Sequence, residues 1–187
     1  MNPEREPEPS AAALLFPTEK SLTRARTYTD NLATHGETLG LIGPLELPRL
    51  WSRHILNCAL LAPLLTPGRV GDIGSGAGLP GIVLAIARPD VQFALIEPME
   101  RRVAWLEQQV SALELDNVEV FRARAEDVRL YRALDQVTSR AVSALKTLIP
   151  LSAPLLRDGG EIVALKGAGA EREIEAAEKA IRKYHLE

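Results

Sequence analysis

The sequence predicts an α/β domain in which a parallel sheet is covered by helices on both faces and carries a small N-terminal helical cap. Three observations predict it. From residue 69 onward, short apolar strands alternate with helical segments at the spacing of βαβ units. The first of those strands runs into a glycine-rich turn, Gly74-Ser75-Gly76-Ala77-Gly78, which opens an apolar helix. Ahead of the alternation, residues 19–62 show helical spacing only.

Residues 1–17 are rich in Pro and Glu around a small apolar patch, Ala11-Ala12-Ala13-Leu14-Leu15-Phe16, so a tail over 1–18 is expected to be disordered or loosely docked. A helix is predicted over 19–39, ended by Gly40-Leu41-Ile42-Gly43-Pro44. A second covers 46–62. It places Leu47, Leu50, Trp51, His54, Cys58 and Leu61 on one face, and Arg49, Arg53 and Asn57 on another. Residues 19–65 thus form a cap continuous with the core over 69–187, giving one domain over 19–187. In the core, strands are predicted at 69–74, 91–97, 118–121, 135–139 and 160–166. Helices fall at 80–87, 99–114, 143–156 and 169–185. Val103, Leu106, Val110 and Leu113 give the second of these a core face, Pro150 and Pro154 disturb the third, and pairs such as Glu175–Lys179 and Glu178–Arg182 support the fourth. Ligands of such sheets bind beyond the carboxyl ends of the strands, where the strand order reverses.

Composition narrows the function. The length suits one domain of ordinary size, and a net charge of −3 argues against holding nucleic acid by bulk charge. Residues 49–140, however, carry eleven Arg against eleven acids and no Lys. That leaves room for a local basic patch built from the side chain suited to phosphate and base recognition. The single Cys58 excludes an internal disulfide and fits a reducing compartment. His35, His54 and His185 are too dispersed to suggest a metal site. Glu4, Glu6 and Glu8 stand where a secretion signal would be basic, and Pro63 breaks the longest apolar run well short of a membrane span. The expectation is a cytoplasmic monomer without membrane or metal partners.

The glycine turn carries the chemistry. Alternate glycines allow positive φ and leave room for a ligand that comes too close for Cβ, and the N–H groups of the following helix are expected to point unpaired above the turn. Gly76-Ala77-Gly78-Leu79-Pro80-Gly81 satisfies the dinucleotide fingerprint, with Glu97 21 residues beyond Gly76, so a nicotinamide-dependent oxidoreductase is one reading. Asp72, two positions before the first glycine, favours another. A buried carboxylate repels a pyrophosphate but suits a ligand with an ammonium and a sulfonium, and S-adenosylmethionine has both. The stretch resembles the glycine motif of Rossmann-like, class I S-adenosylmethionine-dependent methyltransferases, in which Glu97 would hold the ribose hydroxyls. The alternatives are a turn-capping Asp72 and an exposed strand-end Glu97.

Three more places belong to the expected pocket. Arg124-Ala125-Glu126-Asp127 follows the third strand, where this fold clasps adenine; Ala125 and Glu126 are candidates for that contact, unless the acids merely start a helix. Ser139-Arg140-Ala141 ends the fourth strand, beside the departing methyl group. The Asn- or Asp-Pro-Pro-aromatic set of amino-group methylators and the Pro-Cys of 5-methylcytosine enzymes are both missing there, and Cys58 reads as a core thiol. An arginine suits a nucleophile that needs no deprotonation, such as guanine N7, for which alignment supplies most of the rate. The alternative for Arg140 is an ion pair with Asp135 or Asp72. Lys166-Gly167, with Arg53 and His54 on the cap, is placed to contact RNA phosphate, although an apolar face also makes His54 a candidate core histidine. Arg122, Arg124, Arg129 and Arg132 form either a phosphate track or a solvated face.

Trp51-Ser52-Arg53-His54-Ile55-Leu56-Asn57, the run Asp72 to Gly81 with Leu79-Pro80-Gly81, Ser139-Arg140-Ala141 and Ala164-Leu165-Lys166-Gly167 together closely resemble the ribosomal RNA small subunit methyltransferase G family, also called glucose-inhibited division protein B. The resemblance runs from about residue 20 to 185. It implies N7 methylation of one guanine in 16S ribosomal RNA, with S-adenosylmethionine as cofactor and the RNA or the small ribosomal subunit as partner. It maps cofactor contacts onto Gly74, Leu79, Ala125, Glu126 and Arg140, beside Asp72, Gly76, Gly78 and Glu97 from the turn itself; Arg140 is the candidate catalytic residue. A non-catalytic ribosome-assembly factor on the same fold is the remaining alternative. Methyltransferases of this class usually add two strands after the fifth helix, so the C-terminal strands are expected to be missing from a truncated chain.

Overall fold

A computed structural model describes residues 5–140 and 143–187; Ala141 of the strand-end motif lies outside the described residues. The strands are β1 (Arg69–Ile73), β2 (Gln92–Ile96), β3 (Val118–Phe121), β4 (Leu134–Arg140) and β5 (Leu156–Leu165). They form one sheet in the order β3-β2-β1-β4-β5, and every neighbouring pair is parallel. Strand order reverses between β1 and β4, the neighbours at the centre of the sheet. Alternate residues of the central strands feed two cores: Val70, Phe93 and Leu95 pack on one side, and Ile73, Ala94, Ile96 and Val137 on the other. Burial on both faces is why these strands read as continuous apolar runs.

The helices are α1 (Ala12–Leu15), α2 (Glu19–His35), α3 (Asn57–Ala59), α4 (Gly81–Ala87), α5 (Glu100–Ala112), α6 (Leu145–Ser152) and α7 (Ala170–Lys183). A reciprocal capping box starts α2: the Ser21 N–H donates to Thr18 Oγ1 at 3.1 Å and the Thr18 N–H to Ser21 Oγ at 3.1 Å. The helix stops at His35, short of the expected 39, where the chain turns back and Gly36 O accepts the Leu41 and Ile42 N–H groups at 2.7 and 3.2 Å; the close approach of Ile42 leaves no room there for a Cβ. Every residue of α4 from Gly81 to Ile86 is buried, since the helix packs against the cap helices α2 and α3 as well as against β2 and α5. A helix apolar all round needs such surroundings.

Three further elements differ from expectation. The second cap helix is not one α-helix: a 3₁₀ turn over Leu47–Arg49 leads into a π-helical stretch over Leu50–Leu56, then α3, then a 3₁₀ turn over Ala62–Leu64. Proline sits early in each 3₁₀ turn, at Pro48 and Pro63, and Pro63 lacks the N–H that would continue α-helical bonding beyond α3. The expected faces survive, with Leu50, Trp51, His54 and Cys58 buried and Arg53 and Asn57 exposed. Strand β5 begins at Leu156, ahead of the expected 160, because an irregularity between the pairs Leu134↔Leu156 and Gln136↔Glu161 accommodates Gly159 and Gly160. Finally, the expected tail is docked at two points, Ala12 and Phe16, while most of residues 5–18 stay exposed. Ala12 and Phe16 belong to the main core, and Phe16 is 1% exposed. The Glu8–Arg26 pair and the Arg5–Asp30 pair lie at the surface, where ion pairs contribute at most about 1 kcal/mol, so the aromatic ring is the anchor.

Candidate active site

The carboxyl ends of the strands bring the glycine turn, Glu97, Arg140 and Lys166 to one edge of the sheet. Gly74, Gly76 and Gly78 have φ of +67, +55 and +98°. The turn is fixed by bonds from several directions. The Gly74 and Ser75 N–H groups donate to Ile96 O at 2.9 and 3.2 Å, and the Gly78 N–H donates to Ser75 O at 2.7 Å. The Ala77 carbonyl accepts from two buried side chains, Tyr28 Oη at 2.7 Å and Trp105 Nε1 at 2.8 Å. Sequence reasoning missed both donors. Their one signal is an aromatic with a polar tip on a core-facing helix, which needs a buried acceptor. At Gly76 a Cβ would meet only Gly74 O, at 3.7 Å, so the turn is open on that side. At Gly78 it would strike Ile82 at 2.5 Å, so that glycine serves packing.

Asp72 is fully buried on the α4 side of β1. Its Oδ2 accepts the Gly81 N–H at 3.0 Å, whereas Oδ1 has no partner. Asp72 therefore caps α4, and the N–H groups expected to be free are engaged: Gly81 by Asp72, Ile82 by Gly78 O at 2.8 Å and Leu84 by Pro80 O at 2.9 Å. The carboxylate and the preceding turn thus take up the first two N–H groups of the helix. Burial pushes the Asp72 carboxyl up to about 7, against the opposing pull of Ser75 and the Gly81 N–H, with Glu97 adding to the rise and Arg140 countering it. Glu97 is also buried, not exposed; Oε2 accepts the Gly76 N–H at 3.0 Å and Oε1 the Met99 N–H at 2.9 Å. It ties the glycine turn to the end of β2, and each oxygen keeps a second lone pair.

Arg140 pairs with neither Asp135 nor Asp72. Its guanidinium turns to the cap, where Nη2 meets His54 Nδ1 and Nη1 reaches Cys58 Sγ at 3.4 Å. Asp135 instead takes Arg157 and the Arg69 N–H. His54, expected at RNA, is enclosed between Arg140 and Glu46, and its buried ring has no face for a phosphate. The apolar face that carries it decided this. Burial holds His54 below its ordinary 6.5, with Glu46 pulling the other way. Cys58 is a buried thiol that burial pushes up to about 11, so it has no thiolate to offer as a nucleophile.

Arg53 remains open to solvent beside Glu46. Lys166 Nζ donates to Ser143 O at 2.6 Å and pairs with Glu173 at 2.9 Å. Leu79 is buried under the turn, and Ala125 is buried in the core with Ile73 and Ile96. Glu126 is exposed, 3.9 Å from Arg124. The arginine cluster is partly spent, since Arg122 pairs with Glu100 at 2.9 Å. Among the described residues no three His, Cys, Asp or Glu side chains gather as a metal site, and no helix is long and apolar enough to cross a membrane.

A parallel sheet of this order with a glycine turn and a carboxylate at its switch point is the class I methyltransferase architecture. The M. jannaschii TYW2 crystallised with AdoMet superposes with a TM-score of 0.57, at 22% identity, over 72% of this chain and 64% of that one. Coclaurine N-methyltransferase bound to N-methylheliamine and SAH gives 0.56, at 15% identity, over 79% and 51%. Residues 21–187 match the family described as GidB, rRNA small subunit methyltransferase G, and the chain belongs to that family. Its relatives include the ribosomal RNA small subunit methyltransferases G of Clavibacter sepedonicus, 67% identical over 97% of this chain and 85% of that one, and of Leifsonia xyli, 66% identical over 96% and 85%. That of Corynebacterium glutamicum is 52% identical over 94% and 79%. The oxidoreductase reading falls with this assignment.

Proposed function

We propose that the pocket above β1, β2 and β4 performs this family's reaction, the S-adenosylmethionine-dependent methylation of guanine N7 in 16S ribosomal RNA, and that the residues divide the work as follows. The observation that carries the reading is Asp72 Oδ1, a buried carboxylate oxygen without a partner below a turn that is open at Gly76. Such an oxygen fits a cationic ligand and disfavours a pyrophosphate. Asp72 and the turn Gly74, Gly76, Gly78 and Leu79 hold the donor, and the free lone pairs of Glu97 accept its ribose hydroxyls. Ala125 and Glu126 border the adenine. S-adenosylmethionine supplies an electrophilic methyl group on a sulfonium.

Arg140, at the tip of β4, orients the guanine against that methyl. The N7 lone pair is already exposed on the base edge, so the site needs no general base. What the chain contributes is alignment of the base against the methyl group. Arg53 contacts RNA phosphate at the mouth, and Lys166 does so by exchanging Glu173 for phosphate. The chain works in the cytoplasm, where ribosomal RNA is, as a monomer. The test is tritium transfer from S-adenosylmethionine to small-subunit particles and to naked 16S RNA, with nuclease mapping of the product. Labelled 7-methylguanosine, reduced on the order of 10²-fold by Arg140→Ala with little change in melting temperature, is expected. Label on another atom, or an Arg140→Ala variant that turns over normally, would overturn the assignment.

A further inference from the structure

The π-helical stretch and α3 set His54 and Cys58 on one face, and that face meets the tip of β4. The extra residue per turn of a π-helix re-aims side chains and is concentrated at functional sites. The contacts fix one state of the imidazole. A guanidinium can only donate, so His54 Nδ1, which Arg140 Nη2 meets, is the lone-pair nitrogen. The ring's proton then sits on Nε2, which donates to Glu46 Oε2 at 2.6 Å. Glu46 is held in turn by Arg49 at 2.8 Å and Arg53 at 3.3 Å. A chain of contacts thus runs from two surface arginines through Glu46 and His54 to the residue at the strand tip.

We propose that Glu46 and His54 are positioning residues for Arg140: Glu46 keeps His54 in its Nε2–H form, and the Nδ1 lone pair holds the guanidinium against the cap at the tip of β4. The inference rests on the reading of Arg140 as the group that orients the guanine. A half-buried arginine without an acceptor would swing toward Asp72 or out to solvent, and the base would lose its stop. A proton on Nδ1 would have the same effect, turning the acceptor into a donor that faces a cation. The charged and titratable groups around the ring are Glu46 ahead of the π-helical stretch, Arg53 within it, Cys58 on α3 and Arg140 from β4. Asp72 of β1 and Tyr28 of α2 stand behind Cys58 and Arg140.

Two measurements test this. Nitrogen-15 spectra of the ligand-free protein should show His54 neutral at pH 7, with Nε2 protonated and Nδ1 bare; Arg140→Ala should raise the His54 pKa, and Glu46→Ala should mix the tautomers. A His54 ring protonated on Nδ1 overturns the proposal without any variant. Single-turnover rates then form a double-mutant cycle. His54→Ala and Arg140→Ala are each expected to lose on the order of 10²-fold, with the double variant within about threefold of Arg140→Ala alone. Multiplying losses would show His54 acting apart from Arg140 and overturn the proposal. An Arg140→Ala variant as fast as the unmodified protein would instead sink the role of Arg140, while the spectra still report the pairing. Should His54→Ala not fold, Glu46→Ala enters the cycle with the same criterion.

Discussion

Asp72→Asn separates what the fold prefers at this position from what the proposed ligand requires. The carboxyl is fully buried and raised from 3.8 to about 7. In the unfolded chain it ionises near 3.8, so the protonated group stabilises the fold most fully below that value, and the contribution is lost as pH rises through about 7. At about 1.4 kcal/mol per pH unit, the charged group costs the folded state about 4 kcal/mol at pH 8. Asparagine has the same shape, keeps an oxygen for the Gly81 N–H and never ionises; its unpartnered amide N–H groups take back about 1–3 kcal/mol. The ligand-free variant should therefore be more stable at pH 8 by about 1–3 kcal/mol, and this advantage should shrink by about 2.5 kcal/mol on going to pH 5. For a chain of this size that change is roughly 5–10 °C in melting temperature. Thermal melts at the two pH values measure it, and calorimetric titration with S-adenosylmethionine should show the affinity lost. A variant destabilised equally at both pH values, and still binding the donor, would refute the reasoning and leave Asp72 as a turn cap only.

Other substitutions probe the turn and its supports. Gly76→Asp puts a second carboxylate beside Glu97 on the open side of the turn, in a backbone with φ of +55°. Calorimetry should find no donor binding, at a stability cost of about 1–2 kcal/mol for the left-handed conformation; unchanged affinity would remove the turn from the site. Trp105→Phe deletes one of the two donors to Ala77 O and should cost about 1–2 kcal/mol in denaturant melts, with weaker donor affinity. Phe16→Ala should cost about 3–5 kcal/mol, where a loose tail would cost nothing.

The alternation of strands and helices, the parallel sheet and its switch point were legible because βαβ units write themselves as apolar runs at regular spacing. The glycine turn was legible for a related reason, since closely spaced glycines mark positive φ, and the capping of α4 by Asp72 was one of the two roles open to that carboxylate. The partners of Arg140 were not legible. An arginine near acids suggests an ion pair, and although helical spacing puts His54 and Cys58 on one face, nothing in the local sequence says that this face meets the tip of β4. Tyr28 and Trp105 escaped because the contact they share is with a backbone carbonyl, which has no signature in residue types. The expectation for the tail left disorder and loose docking both open, since its Pro and Glu outweigh Ala12 and Phe16 in composition; two seated side chains dock it.

The two aromatic donors on Ala77 have a consequence for motion. One hangs from a helix near the N-terminus and the other from a helix that follows the second strand, so the loop between them belongs to neither half. Loosening it means breaking faith with both at once. Hydrogen exchange at the loop should therefore rise and fall together with exchange in the first long helix, and anything that quiets the one will quiet the other.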